Sequence, residues 1–82
     1  MEIIDFIYDY LDGVAPLGIP KDSPEFRNYR YLDKHLDSFE IIQFIMAVEN
    51  GFSITLSPED TEGERIRTVT GLVEIIQEKQ RN

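Results

Sequence analysis

The chain has 82 residues, a net charge of −8, 41% hydrophobic and 29% charged residues, and no cysteine. That length leaves room for a single small domain, 1–82, with no separate catalytic domain, and the composition is that of a folded chain rather than a disordered one. Without cysteine there are no disulfides, thiolate metal sites or cysteine nucleophiles, which fits a reducing cytoplasm.

The acids are unevenly spread. From His35 to Glu64 there is no Lys or Arg, while Asp37, Glu40, Glu49, Glu59, Asp60, Glu62 and Glu64 are all acidic. Such a surface lacks the basic footprint that phosphate contacts need, so nucleic acid is not an expected partner. It favours a partner with a basic face, although acidity for solubility alone is the plainer reading of the charge taken by itself.

The opening segment, MEIIDFIYDYLDG, lacks the basic head and apolar core of a signal peptide, and no apolar run approaches the roughly 20 residues needed to span a bilayer. A cytoplasmic monomer is the expectation. Within the segment, Ile3, Phe6, Ile7, Tyr10, Leu11 and Val14 recur at helical spacing. This predicts a first helix over 2–14, ended by Gly13 and APLGIP.

Residues 15–36 form a long connector containing Pro16, Gly18, Pro20 and Pro24. Its aromatic part, EFRNYRYLD, offers Phe26, Tyr29 and Tyr31 for packing over the bundle, with room for a short turn.

The run LDSFEIIQFIMAVENG carries a helix-start signature, with Asp37 at the N-cap and Glu40 three residues later. Ser38 is then the first helical residue, and Gly51 is the expected stop. With Ser38 at zero on the helical wheel, Ile41, Phe44, Ile45 and Val48 lie between roughly 240° and 340°, an adequate core stripe. Phe39, Ile42 and Met46 lie apart, between roughly 40° and 100°. One stripe suffices to hold a helix in a bundle. The second is either a docking surface rimmed by acids or a face covered by the connector.

Downstream, Phe52, Ile54 and Leu56 alternate, but no second strand is available, so an extended crossing is predicted. Ser57 and Pro58 open a short third helix to about Ile66, weakened by Gly63. Thr68 caps a last helix with Val69, Leu72, Val73 and Ile76 on one face. The predicted fold is all-α: a small four-helix bundle of three longer helices and one short, with the long connector between helices 1 and 2.

Ser38 has three readings. As a nucleophile it lacks support: nothing resembles a triad or a G-x-S-x-G elbow, and the only histidine, His35, reads as a solvated loop residue. As helix-start polarity it is ordinary. As a modification site it is well placed, because a phosphodiester there meets free N–H groups and the positive end of the helix dipole, worth about 0.3–1 kcal/mol. No Ca²⁺-loop pattern and no other metal motif occurs.

LDSFEIIQFIMAVENGFSITLSPED followed by IRTVTGLVEII resembles the acyl carrier protein family, whose D-S-[LMF]-[DE] motif opens the second helix. The match covers about half the chain, Leu36 to Ile76, and gains specificity from Met46-Ala47-Val48-Glu49, Phe52, Pro58-Glu59-Asp60 and Thr68-Val69 at matching distances. The resemblance implies a substrate carrier, not an enzyme, with no catalytic residue of its own. Ser38 would bear 4′-phosphopantetheine derived from coenzyme A by a phosphopantetheinyl transferase, next to Asp37. The arm's thiol would hold acyl, aminoacyl or polyketide intermediates of fatty acid or secondary metabolite synthesis as thioesters. Asp37, Glu40 and Glu49 would face basic residues of loading and transferring enzymes, around an apolar centre of Phe39, Ile42 and Met46. An unmodified interaction module on the same fold is the alternative function. His35 where a Gly is usual, Phe39 for the commoner Leu, and Gln43 for a usual acid depart from the housekeeping pattern and suggest a specialised carrier.

Overall fold

A computed structural model describes residues 2–81. Three long helices, α1 (Ile3–Val14), α4 (Ser38–Phe52) and α6 (Val69–Arg81), are joined through three short ones: α2 (Pro24–Arg27), α3 (Tyr31–Lys34) and α5 (Pro58–Glu62). A 3-10 turn, Arg65–Arg67, leads into α6. No strand occurs among the described residues, as the lack of a pairing partner for residues 52–56 predicts.

The α1 stripe buries Ile7 and Leu11 completely. The helix ends at Val14, the predicted bound, and Ala15 after it has an extended backbone. Pro16 is the cause: a proline drives the residue before it out of the helical region, whereas Gly13 merely weakens a helix already packed along one side.

The connector belongs to the core. Ser23 caps α2 by accepting the Phe26 N–H at 3.2 Å, and Pro24 occupies the first turn, where no amide is needed. This single turn delivers Phe26 edge-on to Tyr8 with ring centroids 5.0 Å apart, and α3 delivers Tyr31 against Phe44 at 5.4 Å. Both side chains are fully buried, while Tyr29 stays at the margin. Main-chain ties fasten the segment: Thr70 Oγ1 donates to the Arg27 carbonyl at 2.8 Å, and Tyr8 Oη donates to the Ile19 carbonyl at 2.8 Å. A long connector costs little when it fills space the helices cannot fill themselves.

The scaffold centres on α6. It buries Val69, Gly71, Leu72, Ile75 and Ile76, and its backbone closely approaches the 3-10 turn, α1 and α2. At Gly71 the approach is so tight that a Cβ would lie 1.7 Å from the Arg65 carbonyl oxygen. Thr68 Oγ1 accepts the Gly71 N–H at 3.1 Å, in line with its expected capping role. Arg65 reaches along α6 to Glu74 and Glu78, and Arg30 and Arg67 share Asp33 and Glu64 across the α3 side of the turn. These exposed pairs each contribute little, on the order of 0–1 kcal/mol.

The remaining long helix is held differently. Rings line its contact with α1, with Tyr10 5.0 Å from Phe44 and Phe6 5.0 Å from Phe52. α4 extends past Gly51 to Phe52, and Ser53 forms the left-handed cap at φ 54°. Gly51 therefore serves packing rather than termination, since a Cβ there would lie 2.9 Å from the Phe6 ring. The third helix also departs from expectation. It ends at Glu62 because Gly63 is extended, leaving Ile66 to be buried from the separate 3-10 turn. One polar atom in the core is left over: the Tyr31 hydroxyl has no partner among the described residues. Such a group costs about 1–3 kcal/mol while it stays unpaired.

Candidate functional site

The start of α4 is built by reciprocal capping. Asp37 Oδ1 accepts the Glu40 N–H at 2.8 Å, and Glu40 Oε1 accepts the Asp37 N–H at 3.0 Å. Both carboxylates are thus turned to the backbone of the first turn. Between them stands Ser38, exposed, in the first helical position. The amides of Ser38 and Phe39 are those that helix geometry leaves without an internal acceptor once the cap has taken the other two. An oxyanion carried on the serine would meet these amides and the positive end of a 15-residue helix.

From this point an apolar stripe runs down the outer side of α4. Phe39, Ile42 and Met46 are 67%, 59% and 56% exposed, the large hydrophobic residues left uncovered among those described. The connector does not cover them, and its Phe26 and Tyr31 are buried in the core. On the inner side Phe44 and Val48 are buried, and Ile41 and Ile45 are packed against them, as the two-stripe pattern predicts.

The predicted acidic rim is less uniform than its sequence. Asp37 is exposed and Glu40 half-buried, both in the cap. Glu49 is also half-buried, and its Oε2 accepts the Leu56 N–H at 2.8 Å, pinning the crossing segment to α4. No salt bridge among the described residues involves α4 or Asp37; the paired bases Lys21, Arg30, Arg65, Arg67 and Lys79 all find acids on other elements. The negative potential of this face is therefore not neutralised locally.

His35 is not the solvated loop residue that the sequence suggests. It is half-buried, with Nε2 2.7 Å from the Leu11 carbonyl and Nδ1 3.0 Å from the Tyr29 hydroxyl. A carbonyl only accepts, so Nε2 carries the proton, and in the neutral ring Nδ1 accepts from Tyr29. The ring joins the last turn of α1 to the segment three residues before Ser38. Sequence spacing gave no sign of this, because Leu11 lies 24 residues away. The ring's commitments also leave it unsuited to act as a base for Ser38. Among the described residues no cluster of potential ligands could hold a metal, and no helix is long and apolar enough to cross a membrane. An open groove of about 550 Å³ between the start of α1 and α6 contains no residue of α4.

Over 78 residues, covering 95% of this chain and 95% of the relative in each case, the sequence is 32% identical to the acyl carrier proteins of Chlorobium phaeovibrioides and Chlorobium luteolum. The chain belongs to the acyl carrier protein family. No protein-family model and no solved structure matches it. The acyl carrier likeness extends beyond residues 36–76 to α1 and the connector, where the sequence alone agrees only in pattern. Membership makes the chain a carrier protein rather than a catalyst.

Proposed function

We propose that this carrier holds acyl, aminoacyl or polyketide intermediates as thioesters on a 4′-phosphopantetheine arm attached to Ser38, and presents them to partner enzymes. The observation that carries this reading is an exposed serine at the first position of α4, heading a bare apolar stripe, in a chain of this family. The residues fit the group. The Ser38 hydroxyl is accessible, the neighbouring carboxylates of Asp37 and Glu40 are turned to backbone amides, and two further amides remain for a phosphodiester. The arm would supply the thiol that a cysteine-free chain lacks.

The chain's own residues orient and present. The capping box fixes the direction in which Ser38 leaves the helix. Phe39, Ile42 and Met46 offer an apolar centre to a phosphopantetheinyl transferase and then to loading and transferring enzymes, while Asp37, Glu40 and Glu49 attract their basic faces. Uncompensated charge of this kind acts mainly on association rate and is screened by salt, which suits a carrier passed among several enzymes. We place the carrier in the cytoplasm, as a monomeric single domain. His35, clasped to Leu11 and Tyr29, supports a specialised member with a fastened loop before the serine.

The test is intact-protein mass spectrometry after incubation with coenzyme A and a broad-specificity phosphopantetheinyl transferase. Wild type should gain one phosphopantetheine and Ser38→Ala none. Folded wild type left unmodified by two different transferases would instead favour an unmodified interaction module.

A further inference from the structure

The Tyr31 hydroxyl deserves an occupant. The residue is fully buried and its oxygen is unpartnered among the described residues. Burial raises its pKa above the ordinary phenol value, so at neutral pH it is an O–H with no acceptor among the described residues. Buried hydroxyls are almost always paired, so this one retains the capacity to donate to a water or to a ligand group.

Its position narrows the choice. The Tyr31 ring packs edge-on to Phe44 on the inner side of α4, and Phe44 is also 5.0 Å from Tyr10. These rings form a layer of side chains between α4 and the elements that carry Tyr10 and Tyr31. Rotation of side chains can open such a seam. The contact of α6 with the 3-10 turn, by contrast, opens only if main chain moves, because Gly71 lies against the Arg65 carbonyl. Ser38 heads the same helix that the seam runs behind.

We propose that Tyr31 is a specificity-determining residue for cargo: its hydroxyl donates a hydrogen bond to an oxygen substituent, hydroxyl or keto, on an acyl chain entering the seam behind α4. This rests on the reading of Ser38 as the attachment point. A plain hydrocarbon chain fills the seam and leaves the O–H unpaired, whereas an oxygen-bearing chain of equal length satisfies it. The carrier then shelters oxygenated intermediates in preference to fully reduced ones.

The experiment loads Ser38 with hydrolysis-resistant amide arms bearing octanoyl, 3-oxo-octanoyl, 3-hydroxyoctanoyl or 5-hydroxyoctanoyl chains, with loading verified by intact mass before thermal melts. In wild type at least one oxygenated chain should raise the melting midpoint above that of octanoyl by roughly 4–8 °C, the worth of one net hydrogen bond in a domain of this size. In Tyr31→Phe that gap should close, and the unloaded variant should melt at or above wild type. In wild type labelled with carbon-13 at the tyrosine Cζ, the Tyr31 signal should move with the same oxygenated chain and not with octanoyl. Equal midpoints for all cargos in wild type would mean that the hydroxyl holds only a buried water, and would overturn the proposal, as would a gap that persists in Tyr31→Phe. Absence of any mass gain would defeat the attachment reading first, and this proposal with it.

Discussion

α4 and α6 are of similar length and both amphipathic, yet the bundle treats them in opposite ways. α6 buries five residues and lets another main chain come against Gly71, so its place is fixed by backbone contact. α4 buries only Phe44 and Val48, packs through a layer of rings, and leaves three large apolar side chains bare. The difference separates two tasks within one small core. One helix holds the fold together, and the other presents a surface and heads it with the candidate serine.

The widest contrast should appear on truncation. Leu72→Ala, in the buried face of α6, should cost about 2–5 kcal/mol in urea unfolding. Ile42→Ala, on the bare face of α4, should stay within about 0.5 kcal/mol of wild type while slowing modification by a phosphopantetheinyl transferase. A stability loss at Ile42 comparable with that at Leu72 would break the comparison. Next in size is Gly71→Ala, which forces a methyl into the Arg65 carbonyl and should cost about 3 kcal/mol. Gly13→Ala has open space around its new methyl and should not destabilise by the same measure.

Smaller effects sharpen the picture. Ser53 closes α4 at positive φ, so Ser53→Gly should stabilise the domain by up to about 1 kcal/mol, read as a higher urea midpoint with an unchanged slope. The smallest lies on α6, where Lys79 Nζ sits 2.8 Å from Asp60. The hydrogen bond from Lys79, helped by the Ser57 backbone amide, lowers the Asp60 pKa. A lowered folded value means that stability is present above the unfolded carboxylate value of about 3.9 and is lost as pH falls through the folded one. Lys79→Gln should therefore be slightly less stable than wild type at pH 7, and the gap should close below about pH 4. A gap that widened in acid would contradict that sign.

The features legible in the sequence were those written within one or two turns. The Asp37–Glu40 box, the two stripes of α4, the start of α5 and the stripe of α6 all depend on neighbours three or four residues apart, and each stands where its spacing puts it. What escaped was set by distant partners. Gly51 looks like a stop until Phe6 is seen against it. Phe26 and Tyr31 pack inward as their aromatic segment suggests, but the two single-turn helices that aim them are not announced by a proline-rich composition. His35 gave no local sign, since Leu11 lies 24 residues away and Tyr29, in the same connector, is not at a helical spacing from it. The same limit applied to Glu49, an acid on paper whose carboxylate is partly occupied by the Leu56 amide.

The unpaired acids around α4 also govern how copies of the chain meet one another. A stripe of phenylalanine, isoleucine and methionine left in water would ordinarily tempt two molecules to stick face to face. Here every such encounter brings two uncompensated negative faces together, and the repulsion reaches across a Debye length of about 8 Å at physiological salt. That repulsion opposes self-association through this face, and concentrated salt, which shortens its reach, is where self-attraction would first show itself.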